Sequence, residues 1–97
     1  MNYVIGPRAD ADFDEIWAYI AQDDPAAADR VELELHEAMQ MLARLPGLGH
    51  QRLDASPRYR FWGVRSYVIA YRVEQGRVHV DRVLHGARDI GRLLGGP

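Results

Sequence analysis

Hydrophobic and polar residues alternate with two different periods along this chain, and the change falls near residue 50. In the first half Phe13, Ile16, Trp17 and Ile20 recur at i, i+3, i+4 and i+7, a spacing that gathers side chains on one helix face. Val31, Leu35, Ala38, Leu42 and Leu45 make a second stripe of the same kind. In the second half the period drops to two. Tyr59, Phe61 and Gly63, then Tyr67, Ile69, Tyr71 and Val73, then Val78 and Val80 alternate as half-buried strands do.

The breaks between these runs set the elements. Asn2 to Ile5 reads as a short strand ended by Gly6-Pro7, with Gly6 at the N-cap and Pro7 at the first helical position. The first helix is predicted over about residues 8–22. Asp10, Asp12, Asp14 and Glu15 crowd its first turns, where the helix dipole favours negative charge. Asp24-Pro25 repeats the start signal, and the second helix runs to Leu45, where Leu45-Pro46-Gly47-Leu48-Gly49 stops it. The link Gln22 to Asp24 is so short that the helices must be antiparallel neighbours.

After a loop to Pro57, three consecutive strands are joined by Arg65-Ser66 and by the turn Glu74-Gln75-Gly76-Arg77, which predicts an antiparallel meander. The expected fold is α+β in the order β-α-α-β-β-β: a short N-terminal strand and an antiparallel helical hairpin packed on a three-stranded meander. At 97 residues it forms one domain, 1–97, with room for a single modest core. One sheet face should pack its aromatic and aliphatic set on the hairpin. Arg58, Arg60, Trp62 and Arg72 would point largely the other way, as a candidate functional surface.

Charge sharpens this division. Residues 1–50 hold ten Asp and Glu against three Arg, net −7, while residues 51–97 hold four against nine, net +5. The overall −2 therefore hides a polarised molecule. Every cation is Arg, with no Lys, and the planar guanidinium grips carboxylates and phosphates two bonds at a time. Zero Cys excludes disulfides, thiolate zinc sites and cysteine nucleophiles, and fits a reducing compartment. No stretch approaches the roughly 18 apolar residues of a membrane span. The N-terminus carries no secretory pattern, so the cytoplasm is the expected location.

Few chemistries survive. His79, Asp81 and His85 share strand parity, yet residues six apart on a strand lie roughly 20 Å from each other, too far for one metal ion. No metal and no cofactor is expected. Glu15 and Glu34 are explained by the helix dipole and solubility rather than by acid–base work. Glycine-rich nucleotide loops and the G-x-S-x-G serine motif are absent, and Ser56 and Ser66 are the only serines. What remains is a basic-aromatic surface, with Arg58, Arg60, Arg65, Arg72, Arg77, Arg82, Arg88 and Arg92 interleaved with Tyr59, Trp62 and Tyr67. Such a surface suits RNA through phosphate contact and stacking, or an acidic protein partner. Arginine stems covering the sheet over core aromatics account for it equally well.

The element order, together with D-P-x-A-A at Asp24, L-x-x-x-P-x-x-G from Leu42 to Gly49 and RVLHGARD from Arg82, resembles the RelE/ParE toxin superfamily, and the ParE branch more than the RelE branch. The resemblance covers nearly the whole chain. It implies the toxin of a type II toxin–antitoxin, or plasmid stabilisation, system, held inactive by a ParD-like antitoxin whose C-terminal segment wraps it. ParE-like toxins inhibit DNA gyrase by binding it and have no catalytic residues of their own for that task. On this basis the target-binding surface is expected at Arg82, His85, Arg88, Ile90, Leu93 and Leu94, and the antitoxin contact at Trp17, Arg58, Arg60, Trp62, Arg65 and Arg72. The alternative implied by RelE-like members is ribosome-dependent mRNA cleavage, which would use Arg60, Arg82, His85 and Arg88. Against it, the positions that match the RelE-type basic pair and C-terminal tyrosine are Val68, Trp62 and Leu94. A third alternative is a non-toxic module that keeps only the antitoxin contact. Nucleic acid would otherwise be met only indirectly, and no membrane is involved.

Overall fold

Proline opens both long helices of the computed structural model, which describes residues 3–95. Helix α1 spans Pro7–Ala21 and α2 spans Pro25–Arg44. Proline at the first helical position costs nothing there, because that N–H has no intrahelical acceptor. Asp24 caps α2 by accepting a 3.1 Å hydrogen bond from the Ala27 N–H. The carbonyl of Ile20 receives both the Asp23 and the Asp24 N–H, which turns the chain back on itself. Trp17 Nε1 then donates to Asp29 Oδ1 at 2.8 Å, and Phe13 stacks on His36 with ring centres 4.8 Å apart, so the hairpin is clamped at two levels.

The strands are β1 (Tyr3–Ile5), β2 (Arg60–Val64), β3 (Tyr67–Glu74) and β4 (Arg77–His85), followed by a short helix α3 (Ile90–Leu93). The predicted first residue of the opening strand, Asn2, lies outside the described residues. The sheet order is β1-β4-β3-β2. Strands β2, β3 and β4 form the expected antiparallel meander, and β1 adds a parallel edge, Tyr3 opposite Val78 and Ile5 opposite Val80. Gln75 and Gly76 both have positive φ, 52° and 73°, the two-residue turn whose twist matches that of the strands it joins.

A bulge corrects the expected side-chain parity. Tyr71 pairs with Val80 but its neighbour Ala70 pairs with Arg82, so Asp81 is an extra residue on β4. Val78 and Val80 face the hairpin before the bulge and Val83 faces it after. His79 therefore sits opposite Arg72 on the far face while His85 sits opposite Tyr67 on the hairpin face, and the two histidines do not share a face with Asp81 between them.

Each face of the sheet has its own core. Against the hairpin, Tyr3, Phe13, Val31, Leu35, Met39, Leu42, Ile69, Tyr71, Val78, Val80 and Val83 pack together, with Trp62 half-buried beside them. On the far face Ala55, Phe61, Ala70, Leu84, Ile90 and Leu94 form a second cluster. The far face is thus not the open surface expected from the arginines, because the 50–59 loop and α3 cover it. Trp62 pairs with Ile69 and Arg60 with Tyr71, so both lie on the hairpin side rather than away from it. Gly91 makes the second core possible: a Cβ there would overlap the Asp54 carbonyl oxygen.

Candidate partner-binding groove

Strand β1 is three residues long and β4 is nine, so beyond Val80 the outer edge of β4 has no strand beside it. Helix α1 fills this position instead. Asp12 lies between Ala9, Phe13 and Ile16 on the inward flank of α1, and its Oδ2 accepts the Val83 N–H at 2.9 Å, where a strand would have supplied a carbonyl. The same carboxylate takes Arg82 in a bidentate pair, Nε to Oδ2 at 2.9 Å and Nη2 to Oδ1 at 3.1 Å, with side-chain exposures of 10% and 8%. Hydrogen bonding to Asp12 raises the Arg82 pKa further above its ordinary value.

Above this pair a groove of about 590 Å³ opens between α1 and the ends of β3 and β4. Its apolar lining comes from Ile16, Tyr19, Val31, Tyr67, Val83 and Leu84. Glu15 makes one rim acidic, and Arg65, His85 and Arg88 make the other basic. Arg65, at φ 53° in the β2–β3 turn, is held by Glu34 of α2 through bonds of 2.8 and 2.6 Å, and this pair lowers the Glu34 pKa. His85 packs edge-on against Tyr67 with centroids 5.7 Å apart, and its Nδ1 accepts the Ala87 N–H, which leaves Nε2 as the nitrogen free to meet a partner.

The residues expected at functional surfaces are redistributed. Of the expected target contacts, His85 and Arg88 line the groove together, whereas Arg82 is buried in its pair with Asp12, and Ile90 and Leu94 are core residues of the far face. Leu93 alone of the three apolar tail residues reaches solvent, at 38%. Of the expected antitoxin contacts, Arg65 lines the groove. Trp17 is occupied with Asp29, and Arg60 Nη1 donates to the Gly49 carbonyl at 2.7 Å. Arg58 rests over the Tyr59 ring, and Arg72 holds Asp81 and Glu74 on the far face, so these residues do not form one surface. Asp12, Glu15, Tyr19 and Ser66 also line it without having been expected there, while Tyr67 belongs to the expected basic-aromatic set. The signal for Asp12 was present, since the spacing Ala9, Asp12, Phe13, Ile16 places it on the buried helix face. Among the described residues no three His, Cys, Asp or Glu gather to hold a metal ion. No helix among them is long and apolar enough to cross a membrane.

A helical hairpin on a four-stranded mixed sheet, with a two-signed groove at its open end, defines a two-layer α+β domain. The chain belongs to the family described as the ParE toxin of type II toxin-antitoxin system, parDE, whose model matches residues 3–90. It is 37% identical over 95 residues to Toxin ParE1 of Caulobacter vibrioides, covering 96% of this chain and 97% of that one. It is 42% identical over 81 residues to Toxin RelE2 of the same organism, covering 84% and 90%. Toxin ParE1 of Mycobacterium tuberculosis is 33% identical over 97 residues, covering 96% and 97%. The fold matches a solved chromosomal ParDE system from P. aeruginosa with a TM-score of 0.74 at 20% identity, over 88% of this chain and 95% of that one. The protein is a toxin of the ParE/RelE family of type II systems, and its relatives carry both names.

Proposed function

We propose that this chain arrests growth by binding DNA gyrase, and that a cognate ParD-like antitoxin neutralises it by seating a segment in the groove between α1 and β4. One observation carries the choice of binding over catalysis: more than half of the arginines in the basic half are already engaged. Of the nine in residues 51–97, Arg52, Arg58, Arg65, Arg72 and Arg82 are in salt bridges with carboxylates of the same chain. Cleaving RNA by attack of a 2′-hydroxyl needs several cations converging, unpaired, on one phosphate. Arg60 stands opposite Tyr71 and His85 opposite Tyr67, four residues apart along β3, or roughly 13 Å. With Arg82 buried, His85 and Arg88 are the two members of that set left in one groove.

The groove suits a peptide. Its apolar floor takes the face of an amphipathic helix, and the two rims fix the orientation of a segment carrying both signs of charge. The ribonuclease reading keeps one point in its favour, the proximity of an imidazole to Arg88. The deciding assay is purified protein with DNA gyrase, read for supercoiling and trapped cleavage complexes, beside translating ribosomes and mRNA. Gyrase inhibition with intact mRNA is the expected result. Cut mRNA with active gyrase would overturn it in favour of His85 and Arg88.

A further inference from the structure

Asp12 closes the groove to an added strand. The Val83 N–H of β4, the kind of group such a strand would use, is already held by the Asp12 carboxylate, and α1 lies along that edge. What a partner meets instead is side chains: Ile16 and Tyr19 on one face of α1, with Tyr67 and Leu84 from the sheet. Tyr19 is 73% exposed. A large ring presented to water beside an apolar floor is a surface that an amphipathic helix covers with its own apolar stripe.

The charges around this floor are not equally available. Arg65 already directs Nε and Nη2 at Glu34, at 2.8 and 2.6 Å. Arg88, on the same rim, has neither a salt bridge nor a side-chain hydrogen bond among the described residues. His85 accepts the Ala87 N–H at Nδ1, so the neutral ring carries its proton on Nε2 and offers it as a donor. On the opposite rim Glu15 also lacks a salt bridge among the described residues, because the buried Arg82 is taken by Asp12. In the free protein water solvates both Arg88 and Glu15, which are exposed. A helix laid over the floor removes that water, and each charge then needs an opposite one from the partner.

We infer that Arg88, with His85 beside it, and Glu15 are the residues by which this toxin selects its antitoxin. They admit an amphipathic helix with a carboxylate on the flank facing Arg88 and a cation on the flank facing Glu15. A helix with the two signs exchanged meets like charge on both sides and is rejected, so the rims discriminate while the apolar floor holds whatever they admit. The inference rests on the proposed seating of an antitoxin segment in this groove and adds the chemistry of that segment.

The test selects binders to the purified full chain from a phage-displayed library of amphipathic helices about 18 residues long, long enough to hold a helix in water. Their apolar stripe is fixed and their flanks are randomised. Affinities are then measured on wild type, Arg88→Glu, Arg88→Gln, Glu15→Lys and Tyr19→Ala, with melting temperatures alongside to show that each variant is folded. Helices selected on the wild type should carry Asp or Glu on one flank and Lys or Arg on the other. Arg88→Glu should weaken them at least about tenfold, and exchanging their carboxylate for lysine should restore binding to that variant. Arg88→Gln, which removes the charge without reversing it, should cost less, and Glu15→Lys should act in the same way on the other flank. Helices that lose affinity for Tyr19→Ala but ignore every charge variant overturn the inference and leave the groove reading standing. Helices indifferent to Tyr19→Ala, or none selected above background, overturn the groove reading and the inference with it.

Discussion

Two arginines, one beneath the groove and one on its rim, each make a bidentate pair with a carboxylate, the first in the interior and the second in water. Arg82 and Asp12 are about nine-tenths covered, and Asp12 also satisfies the Val83 N–H. Arg65 and Glu34 are 53% and 38% exposed and satisfy nothing else. Removing one member of a buried pair strands the other charge without water, whereas removing one member of an exposed pair hands the other to solvent. The inner pair therefore belongs to the fold, fixing α1 against the strand edge. The outer pair belongs to the rim, setting where a turn residue stands when a partner arrives.

The sharpest way to break that contrast is Asp12→Ala, which leaves Arg82 and the Val83 N–H both unsatisfied and should cost about 3–5 kcal/mol in denaturant unfolding. The double variant Asp12→Ala, Arg82→Met removes both charges and strands only the backbone donor, so a smaller loss of about 1–3 kcal/mol is expected. A double variant as unstable as the single one would show that charge burial is not the cause. Glu34→Gln should leave the melting temperature unchanged while loosening the β2–β3 turn, seen as faster exchange of the Arg65 and Ser66 amides. The smallest effect concerns pH. Hydrogen bonds from Arg65, Arg52 and Arg72 hold Glu34, Asp54 and Glu74 below their ordinary values of 4.5, 3.8 and 4.5. Their folded pKa values are depressed, so their contribution is complete above those ordinary values and fades as pH falls through the folded ones. Carboxyl titration by NMR should find the Glu34 midpoint rising toward 4.5 in Arg65→Gln.

The hairpin and meander were legible because periodicity and proline placement act locally: α1 begins at Pro7 and α2 at Pro25, where the capping signals put them. What escaped were consequences of one inserted residue and of distant contact. Asp81 as a bulge reverses the facing of everything after it, and nothing in the alternation around it marks the insertion. Arg82 reads as one more surface cation until Asp12, 70 residues earlier, is found beside it. The second core depends on Phe61 and Ala70 meeting a tail that the strand pattern does not foresee, so the far face looked open. The groove inherits these errors. Arg65, His85 and Arg88 are exposed and line the groove, as surface cations of the meander can, but their acidic counterpart across it reads in the sequence as a helix-dipole residue alone.

The parallel pairing of Tyr3 with Val78 has a consequence in time. The first strand made has no neighbour until the last strand exists, and the Asp12 carboxylate waits just as long for Arg82 and the Val83 amide. A chain in which β4 has not yet formed therefore has a hairpin and part of a meander, but neither the closed sheet edge nor the groove beside it. The groove proposed to receive an antitoxin is thus a late product of folding, complete only once β4 is in place.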